Sequence, residues 1–382
     1  MSFLLIEGGE VKAAHSPGVQ SILVAQSSII RIGEIDPRSL DALGVEYARV
    51  DARDCQIWPG LIDVHEHLIG GSGEEGWGTQ TPEITLGEIV GGGITTVVGC
   101  LGTDTVTRTM PALLARAKGL NRAGLSAWIW TGGYDVPPAT LTGSVRNDVM
   151  FVEEVIGAGE IAIADHRSSA APIHELARLI KSAHVGGMLS GKAGVTHFHV
   201  GEEDRRLGDL RALLDDWSIE PDWIYPTHVE RSEELMREAV ALSRRGVTVD
   251  VDVVEKDLAR WLPFYLAEGG SPDHLTVSSD AAITSPGNLF HQIRDCILNH
   301  GVPADVAMSL VTSNPARVLQ LNGKGKLEEG ADADFVIVQN ASLEIRHVIA
   351  RGKLFVHDGS LVAQEGYLSS SDRQFVVQGE KR

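Results

Sequence analysis

The sequence predicts an α/β fold: a (β/α)8 TIM-like barrel with a small β-sandwich domain formed by both termini. In the middle of the chain, apolar runs of strand length alternate with helical patterns eight times over roughly 260 residues. Both ends instead carry short β-type runs separated by turn residues. No Gly-rich phosphate loop follows an early strand, which disfavours a doubly wound sheet. The predicted boundaries are 58–322 for the barrel and 1–57 and 323–382 for the two parts of the β domain.

Eight apolar runs are the predicted barrel strands: Leu61–Val64, Thr95–Cys100, Ala127–Thr131, Ile161–Asp165, Val195–Val200, Trp223–Thr227, Val247–Val251 and Leu275–Ser278. Helical patterns lie between most of them, for example Met110–Ala123, Pro172–Ala183 and Glu233–Arg245. The predicted strands of the terminal domain are Phe3–Glu7, Gln20–Ala25, Ser28–Ile32, Tyr47–Asp51, Asp334–Val338, Ile345–Ala350 and Lys353–His357.

Composition limits the classes of partner. The chain has 382 residues, 33 Lys and Arg against 52 Asp and Glu, and a formal net charge of −19. With 43% hydrophobic and 22% charged residues it has the composition of a globular protein. Its acidity argues against a nucleic acid or an anionic membrane as the main partner. Small anionic substrates remain open, because a local pair of arginines can outweigh the global charge.

Cysteine usage and the N-terminus indicate the compartment. The three cysteines, Cys55, Cys100 and Cys296, are far apart and have no C-x-x-C spacing, so neither a disulfide framework nor a zinc knuckle is expected. No basic segment precedes the short apolar stretch at the N-terminus, and no apolar run approaches the roughly 18 residues that span a bilayer. We expect a soluble cytoplasmic protein.

Polar residues concentrate at the ends of the predicted barrel strands, where barrels carry their active sites. They are His65–His67, Glu160 with Asp165–Arg167, His197–His199, Thr227–His228 and Ser278–Asp280. Alternation places His65 and His67 on one face of a strand, so that both can reach one ion. A single histidine at a strand end is more often structural than a ligand. Five such strand ends together predict a metal centre at the mouth of the barrel.

These residues carry a resemblance to a known family. The run Pro59–His67 resembles the opening strand of the amidohydrolase superfamily. Further segments are similar to the isoaspartyl (β-aspartyl) dipeptidases: Gly70–Glu74, Gly102–Asp104, Thr131–Tyr134, Asp165–Ser168, Phe198–Gly201, Pro226–Arg231 and Ser278–Asp280. The similarity extends to the Gly330–Asp334 turn and so covers nearly the whole chain.

The resemblance implies a metal-dependent hydrolase that cleaves the β-aspartyl amide bond of isoaspartyl dipeptides with metal-activated hydroxide. In this reading His65 and His67 bind one metal, and His199 and His228 bind a second. Asp280 touches the first metal and acts as general acid and base. Histidine and carboxylate ligands with open positions favour Zn²⁺, although Mn²⁺, Co²⁺ or Fe²⁺ would also fit.

The resemblance also implies substrate contacts. Glu74 would hold the α-ammonium group, Arg167 and Arg231 the carboxylate groups, and Tyr134 the oxyanion. The pocket would be lined by Thr103 and Thr284. From the residues alone, these side chains also have a structural interpretation. Glu74 would be a solvated loop acid, Arg167 and Arg231 would pair with nearby acids, and Tyr134 would be a packed aromatic ring.

Glu160 is a departure from the family. The dipeptidases carry a carboxylated lysine that bridges two metals, and counting back from Arg167 places Glu160 there. Glutamate supplies the same charge and two oxygens on a side chain several atoms shorter, and other branches of the superfamily use a glutamate on this strand as a ligand. Glu160 would either bridge two ions or bind only one. The third alternative is that Glu160 is not a ligand and the metal site is degraded. We predict a ligand and two ions.

Three functions remain open at this stage. The first is isoaspartyl dipeptide hydrolysis. The second is hydrolysis of another carboxylate-bearing amide, such as an N-acyl amino acid or a cyclic amide, because the loop 281–289 that shapes the pocket looks shorter than in the family. The third is a non-catalytic scaffold, which the retained histidines and Asp280 disfavour. By analogy with the family we expect a homo-oligomer.

Overall fold

The computed structural model describes residues 3–13, 18–42, 44, 46–71, 73–363 and 365–372. The predicted fold class is confirmed: parallel strands and helices form the middle of the chain, and a separate β-rich part contains strands from both ends. The domain boundaries remain a prediction, and residues 373–382 lie outside the described residues. Within those ranges, no helix combines the length and the apolar character needed to cross a membrane.

The N-terminal segment contributes five strands: β1 (Phe3–Val11), β2 (Gly18–Ala25), β3 (Ser28–Gly33), β4 (Tyr47–Asp51) and β5 (Cys55–Pro59). The sequence did not predict β5, because its last residue is proline, which is unfavourable inside a sheet. Pro59 lies at the end of the strand, where the missing N–H costs least. The strand runs across the predicted boundary at 57/58.

Eight barrel strands follow: β6 (Leu61–Glu66), β7 (Ile94–Gly99), β8 (Ser126–Thr131), β9 (Val155–Ile163), β10 (Val195–Val200), β11 (Ile224–Thr227), β12 (Val249–Asp252) and β13 (Leu275–Ser278). Strands β6 to β11 form one continuous parallel sheet, and β12 pairs in parallel with β13. A parallel bridge between Glu66 and Ala281 joins the end of the eighth strand to the first. Between β11 and β12, the Thr227 hydroxyl donates to Asp250 at 2.8 Å.

The helices are α1 (Pro37–Ala42), α2 (Leu86–Gly91), α3 (Met110–Ala123), α4 (Val145–Phe151), α5 (Ile173–Ser190), α6 (Gly208–Asp216), α7 (Glu233–Ser243), α8 (Leu258–Ala267), α9 (Asn288–Asn299), α10 (Ala304–Ser309) and α11 (Ser313–Val318). Short 3-10 helices occur at Trp77–Thr79, Pro221–Trp223, Pro272–His274 and Gly366–Ser370. Local sequence sets their ends: the Ser232 hydroxyl accepts from the N–H of Leu235 at the start of α7, and Gly124 ends α3 with φ 112°.

The C-terminal strands are β14 (Phe335–Gln339), β15 (Ile345–Ala350), β16 (Lys353–His357) and β17 (Ser360–Leu361). They continue the sheet begun by the N-terminal segment in the order β17-β16-β15-β14-β5-β1-β2-β3, and β4 also pairs with β1. The junction is the antiparallel pairing of β14 with β5, from Phe335 opposite Pro59 to Gln339 opposite Cys55. Both ends of the chain therefore build one sheet, as predicted.

The fourth barrel strand begins earlier than the sequence predicts. The expectation was Ile161–Asp165, whereas β9 spans Val155–Ile163, so Glu160 lies inside the strand rather than ahead of it. The glycines before Glu160 allow close packing between neighbouring strands. A β carbon on Gly157 would lie 2.2 Å from the carbonyl oxygen of Val195 on β10.

Helix α5 also runs further than predicted. The expected end was Ala183, and the helix continues to Ser190. Gly186 and Gly187 favour a helix end in the sequence, yet here they let α5 approach its neighbours. A β carbon on Gly186 would lie 3.0 Å from the carbonyl oxygen of Arg146 in α4.

A buried ion pair fixes the chain between α11 and β14. The Lys324 ammonium lies 2.6 Å from Asp334 and 2.8 Å from Asp332, and the side chains of Lys324 and Asp334 are each 5% exposed. The other oxygen of Asp334 accepts from the backbone N–H of Arg351 at 2.7 Å. Removing the lysine charge would leave a buried carboxylate without its cation.

We therefore expect Lys324→Met to lower the free energy of unfolding by about 3–5 kcal/mol, the usual cost of breaking a buried ion pair from one side. Urea unfolding measures this change. The control is Arg38→Ala, which breaks the exposed pair with Asp36 and should leave the unfolding midpoint unchanged. Equal midpoints for both variants would contradict the assignment.

Candidate active site and metal centre

Six side chains converge at the C-terminal end of the barrel. They come from β6 and the residue after it, from β9 and β10, and from the residues that follow β11 and β13: His65, His67, Glu160, His199, His228 and Asp280. Strand geometry explains the gathering, because the carboxyl ends of all eight parallel strands open at the same mouth. The structure thus brings together every metal ligand that the sequence suggested.

Glu160 lies at the centre of this group and faces histidines with both oxygens. Its Oε1 is 3.3 Å from His65 Nε2 and 3.8 Å from His67 Nε2. Its Oε2 is 3.3 Å from His199 Nδ1 and 3.7 Å from His228 Nε2. The carboxylate is 1% exposed. It therefore separates two subsites, His65 with His67 and His199 with His228, and contributes one oxygen to each.

Hydrogen bonds below the centre fix the tautomer of His65. The carbonyl oxygen of Tyr225 can only accept, so His197 Nδ1, 2.9 Å away, donates to it. Nε2 of the neutral His197 ring is then an acceptor for His65 Nδ1 at 3.3 Å. Burial lowers the pKa of His197 well below its usual value, which keeps that ring neutral. In its neutral form, the form that binds a metal, His65 therefore directs the lone pair of Nε2 towards Glu160 and Asp280.

Carboxylates orient the two histidines of the other subsite. His199 Nε2 lies 3.0 Å from Asp165, and His228 Nδ1 lies 2.7 Å from Asp252. In the neutral tautomers in which these nitrogens donate, His199 Nδ1 and His228 Nε2 direct their lone pairs towards Glu160. A histidine whose second nitrogen donates to a carboxylate is the usual arrangement around a bound metal.

The centre carries buried polar atoms that lack hydrogen-bond partners. His65 Nε2 and Glu160 Oε2 are both in this position. Burial alone would raise the pKa of Glu160, but positive charge on the side of His65, His199 and His228 holds it well below its usual value; a cation bound to the neutral rings supplies that charge. Such unpaired lone pairs around an ionised carboxylate are costly in a protein interior unless a cation completes them. The donor set therefore fits a divalent metal centre.

Asp280 lies at the open side of the centre. One of its oxygens is 3.1 Å from His67 Nε2 and 3.4 Å from His65 Nε2, and its side chain is 21% exposed. Asp280 and His228 both have positive φ, 44° and 62°, a backbone region that costs such residues about 1–3 kcal/mol and is concentrated at functional sites. The carboxylate can thus contact the centre and the pocket above it.

A cavity of about 200 Å³ opens above the metal centre. It is lined by all six residues expected to contact substrate: Glu74, Thr103, Tyr134, Arg167, Arg231 and Thr284. Three of the candidate ligands, His67, His199 and Asp280, form its floor. The structure therefore brings the two groups of residues into a single pocket.

Two opposite charges lie side by side at the wall of this cavity. Arg167 Nη1 donates to Glu74 at 2.6 Å. The same guanidinium donates to both oxygens of Asp165, from Nε at 2.8 Å and from Nη2 at 2.7 Å. Burial alone would raise the pKa of Asp165, but the hydrogen bonds of Arg167 and His199 hold it below its usual value. Asp165 thus fixes both a candidate metal ligand and the arginine of the pocket.

Tyr134 and Arg231 complete the cavity. The Tyr134 hydroxyl lies 2.8 Å from His199 Nδ1, and burial holds the pKa of Tyr134 well above its usual value, so that it remains a proton donor. Arg231 lies 3.5 Å from Glu202 and is shared with an adjoining cavity of about 310 Å³ that contains Arg260. The Arg231 side chain is 27% exposed, so an incoming anionic group can reach it.

Some residues of the site escaped the sequence reasoning. Asp252 was missed because the seventh strand was predicted to end at Val251; extending it by one residue would have added an acid to the ring of strand ends. His197 was noted, but its role beneath His65 depends on a carbonyl group from β11 that no sequence pattern indicates. Cys100 follows β7 directly and lies beside the first subsite.

Comparison with known proteins agrees with this geometry. The pattern of the amidohydrolase family matches residues 57–355. The structure of a beta-aspartyl dipeptidase from the thermophilic, keratin-degrading Fervidobacterium islandicum AW-1 is 37% identical, with a TM-score of 0.89 over 94% of this chain and 98% of that chain. A second structure of that enzyme, in complex with the beta-Asp-Leu dipeptide, is 36% identical with a TM-score of 0.87 and the same coverage.

More distant relatives share less sequence identity or a shorter segment with this chain. Atrazine chlorohydrolase from Arthrobacter aurescens TC1, complexed with zinc, is 16% identical with a TM-score of 0.63 over 94% of this chain and 96% of that chain, which shows the fold alone. An adenine deaminase of Nitratidesulfovibrio vulgaris (strain DP4) is 29% identical over 133 residues, 34% of this chain and 23% of its own length. The matched segment thus spans less than a quarter of that curated relative. From the family match and the near-complete overlap at 37% identity, the chain belongs to the amidohydrolase family, in the branch that contains the beta-aspartyl dipeptidases.

Proposed function

We propose that the protein hydrolyses the β-aspartyl amide bond of isoaspartyl dipeptides in a metal-dependent reaction. The observation that carries this proposal is the pair Glu74 and Arg167, 2.6 Å apart at the wall of a cavity whose floor is the metal centre. An isoaspartyl residue keeps its ammonium and its α-carboxylate on one carbon, while its side-chain carbonyl forms the amide. Such a head group can replace the internal ion pair, with ammonium on Glu74 and carboxylate on Arg167.

Other amides match this pair less well. An α-aspartyl dipeptide has the ammonium but has used its α-carboxylate in the peptide bond. An N-acyl aspartate has the carboxylate but no ammonium. The relative from Fervidobacterium islandicum with bound beta-Asp-Leu supports the same assignment.

We infer two divalent ions, one held by His65 and His67, the other by His199 and His228, with Glu160 contributing to both. Zinc is the favoured metal for this donor set. A bound divalent ion supplies a nucleophile at neutral pH by lowering the pKa of water from 15.7 to about 7, and it polarises the scissile carbonyl.

The chain's own residues supply the rest of the chemistry. Asp280 is positioned to accept the proton of the attacking water and to return it to the leaving amine. The Tyr134 hydroxyl donates a hydrogen bond to the carbonyl oxygen as negative charge develops there, a contribution of about 2.7–4 kcal/mol for a single such donor. Arg231 binds the carboxylate of the leaving residue, and Thr103 and Thr284 line the pocket.

We also propose a reducing, cytoplasmic location, supported by the three buried free cysteines Cys55, Cys100 and Cys296. Assembly into a homo-oligomer stays a prediction by analogy with the family.

The substrate proposal predicts hydrolysis of β-Asp-Leu without hydrolysis of α-Asp-Leu or N-acetyl-Asp, measured as free amine or acetate released. Glu74→Gln should lower kcat/KM for β-Asp-Leu by about 10–150-fold, since a hydrogen bond to a charged group is worth about 1.5–3 kcal/mol. The control is Glu75→Gln, which alters the exposed neighbouring residue. Activity confined to N-acetyl-Asp would identify the enzyme as another amidohydrolase.

The proton-transfer role predicts that Asp280→Asn lowers kcat by about 10²–10⁴-fold, the usual contribution of general acid–base catalysis. Steady-state kinetics measure the loss, and metal analysis of the same sample should find the metal largely retained. Asp273→Asn, at the opposite end of β13, is the matched control. Turnover near the wild-type rate would refute the role of Asp280.

The ligand assignment predicts that Glu160→Ala lowers the bound metal from two ions to one or fewer per chain, because both subsites lose an oxygen. Elemental analysis of the purified protein measures the ratio. Glu154→Ala, a buried carboxylate near the start of the same strand that pairs with Lys118, should leave the ratio unchanged. An unaltered metal content in Glu160→Ala would show that Glu160 is no ligand.

A further inference from the structure

We propose that Cys100 is a metal ligand, and that its thiolate joins His65, His67 and Glu160 in the first subsite. This inference rests on the metal dependence proposed above and adds a residue for which the isoaspartyl dipeptidase resemblance implies no role. It makes the first subsite a sulfur-containing one with a preference for zinc.

The position of Cys100 supports a role in the centre. The residue directly follows β7, so it lies at the same end of the barrel as the other candidate ligands, and it is fully buried. Its sulfur lies 3.7 Å from His67 Nδ1 and 3.9 Å from His67 Nε2. Ligand atoms from His65, His67, Cys100 and Glu160 all lie within 4.8 Å of one another.

These separations suit a shared ion. Nitrogen at about 2.0–2.1 Å and sulfur at about 2.3 Å from one tetrahedral zinc are about 3.3–3.6 Å from each other. His65 Nε2 and Glu160 Oε1 are 3.3 Å apart, and the sulfur is 3.9 Å from His67 Nε2, the nitrogen that faces the two carboxylates. The four atoms therefore surround a volume that one ion can fill with small side-chain adjustments.

A second observation points to a ligand independently of the cysteine. His65 is 0% exposed, and its Nε2 has no hydrogen-bond partner. Its other nitrogen, Nδ1, lies 3.3 Å from His197 Nε2, so that Nε2 is aimed into the group. The carboxylate oxygens beside it, from Glu160 at 3.3 Å and Asp280 at 3.4 Å, accept rather than donate hydrogen bonds when ionised.

The competing account is a purely structural thiol. Cys100 Sγ lies 3.5 Å from the carbonyl oxygen of Glu66, to which an S–H group can donate a weak hydrogen bond. In that case the proton stays on the sulfur and the metal contacts only nitrogen and oxygen. In our proposal the thiol loses its proton when the metal binds, because the thiolate is the ligand form.

The charge and the ligand types of the centre favour a sulfur ligand. The side chain of glutamate is several atoms shorter than that of a carboxylated lysine. Glu160 alone therefore extends less far between two ions than the lysine would. A thiolate adds a negative charge beside the first ion, in addition to those of Glu160 and Asp280, and a soft donor that favours zinc over manganese or magnesium. The second subsite, with Glu160, His199 and His228, has no sulfur among its candidate donors. The two subsites should therefore differ in metal preference.

The decisive measurement is zinc-edge X-ray absorption on the wild-type holoenzyme. The proposal predicts a sulfur shell at about 2.3 Å in addition to nitrogen and oxygen at about 2.0–2.2 Å. A spectrum that requires only nitrogen and oxygen would overturn it. This readout needs no variant, so it is independent of any effect of substitution on folding.

Cobalt substitution assigns the sulfur to a residue. The Co²⁺-loaded wild type should show a sulfur-to-cobalt charge-transfer band in the near ultraviolet. Cys100→Ser should lose this band and bind zinc more than about tenfold more weakly in a chelator competition. Cys296→Ser, at another buried free cysteine, is the matched control and should retain both properties. A band that persists in Cys100→Ser would exclude this ligand.

The two proposals fail separately. A holoenzyme that hydrolyses β-Asp-Leu without a zinc–sulfur shell refutes the role of Cys100 and leaves the proposed function standing. A holoenzyme that shows the sulfur shell but hydrolyses only other amides supports Cys100 and refutes the substrate assignment.

Discussion

The structure depends on one buried negative charge. Glu160 is enclosed at the end of the barrel with its oxygens turned towards four histidines, and an ionised carboxylate in such a place needs cations around it. The surrounding side chains are arranged in layers as ligands for such a cation. Imidazoles face the carboxylate, Asp165 and Asp252 orient two of them, and a carbonyl oxygen of β11 orients a third through His197. The pocket residues are then arranged around a centre that is already fixed.

A glycine allows the backbone to place the Glu160 carboxylate between the histidines. Gly159, directly before Glu160, has φ 149°, and a β carbon there would lie 2.8 Å from the carbonyl oxygen of His197. The strand can therefore approach β10 closely enough for the carboxylate to reach both pairs of histidines. The same glycines explain why the fourth strand was the least well predicted: a Gly-Ala-Gly sequence is equally compatible with a turn and with close strand packing.

What could be predicted from the sequence follows from local regularity. Apolar runs identify all eight barrel strands, and the rule that barrels carry function at their strand ends groups His65, His67, His199, His228 and Asp280 from the sequence alone. The remaining features depend on contacts distant in sequence. The tautomer of His65 is set by Tyr225, and Arg167 is shared between Asp165 and a glutamate from a loop 93 residues away. No local pattern specifies such partners.

The sheet shared by both termini has a consequence for synthesis on the ribosome. Strand β5 pairs with β14, and Gly60 alone separates it from β6, the strand that carries His65. Until residue 339 has left the ribosome, one edge of β5 has no partner, and an unpaired edge invites association with other nascent chains. Strand β14 must therefore be synthesised before β5, the strand next to the one that carries His65, is paired on that edge.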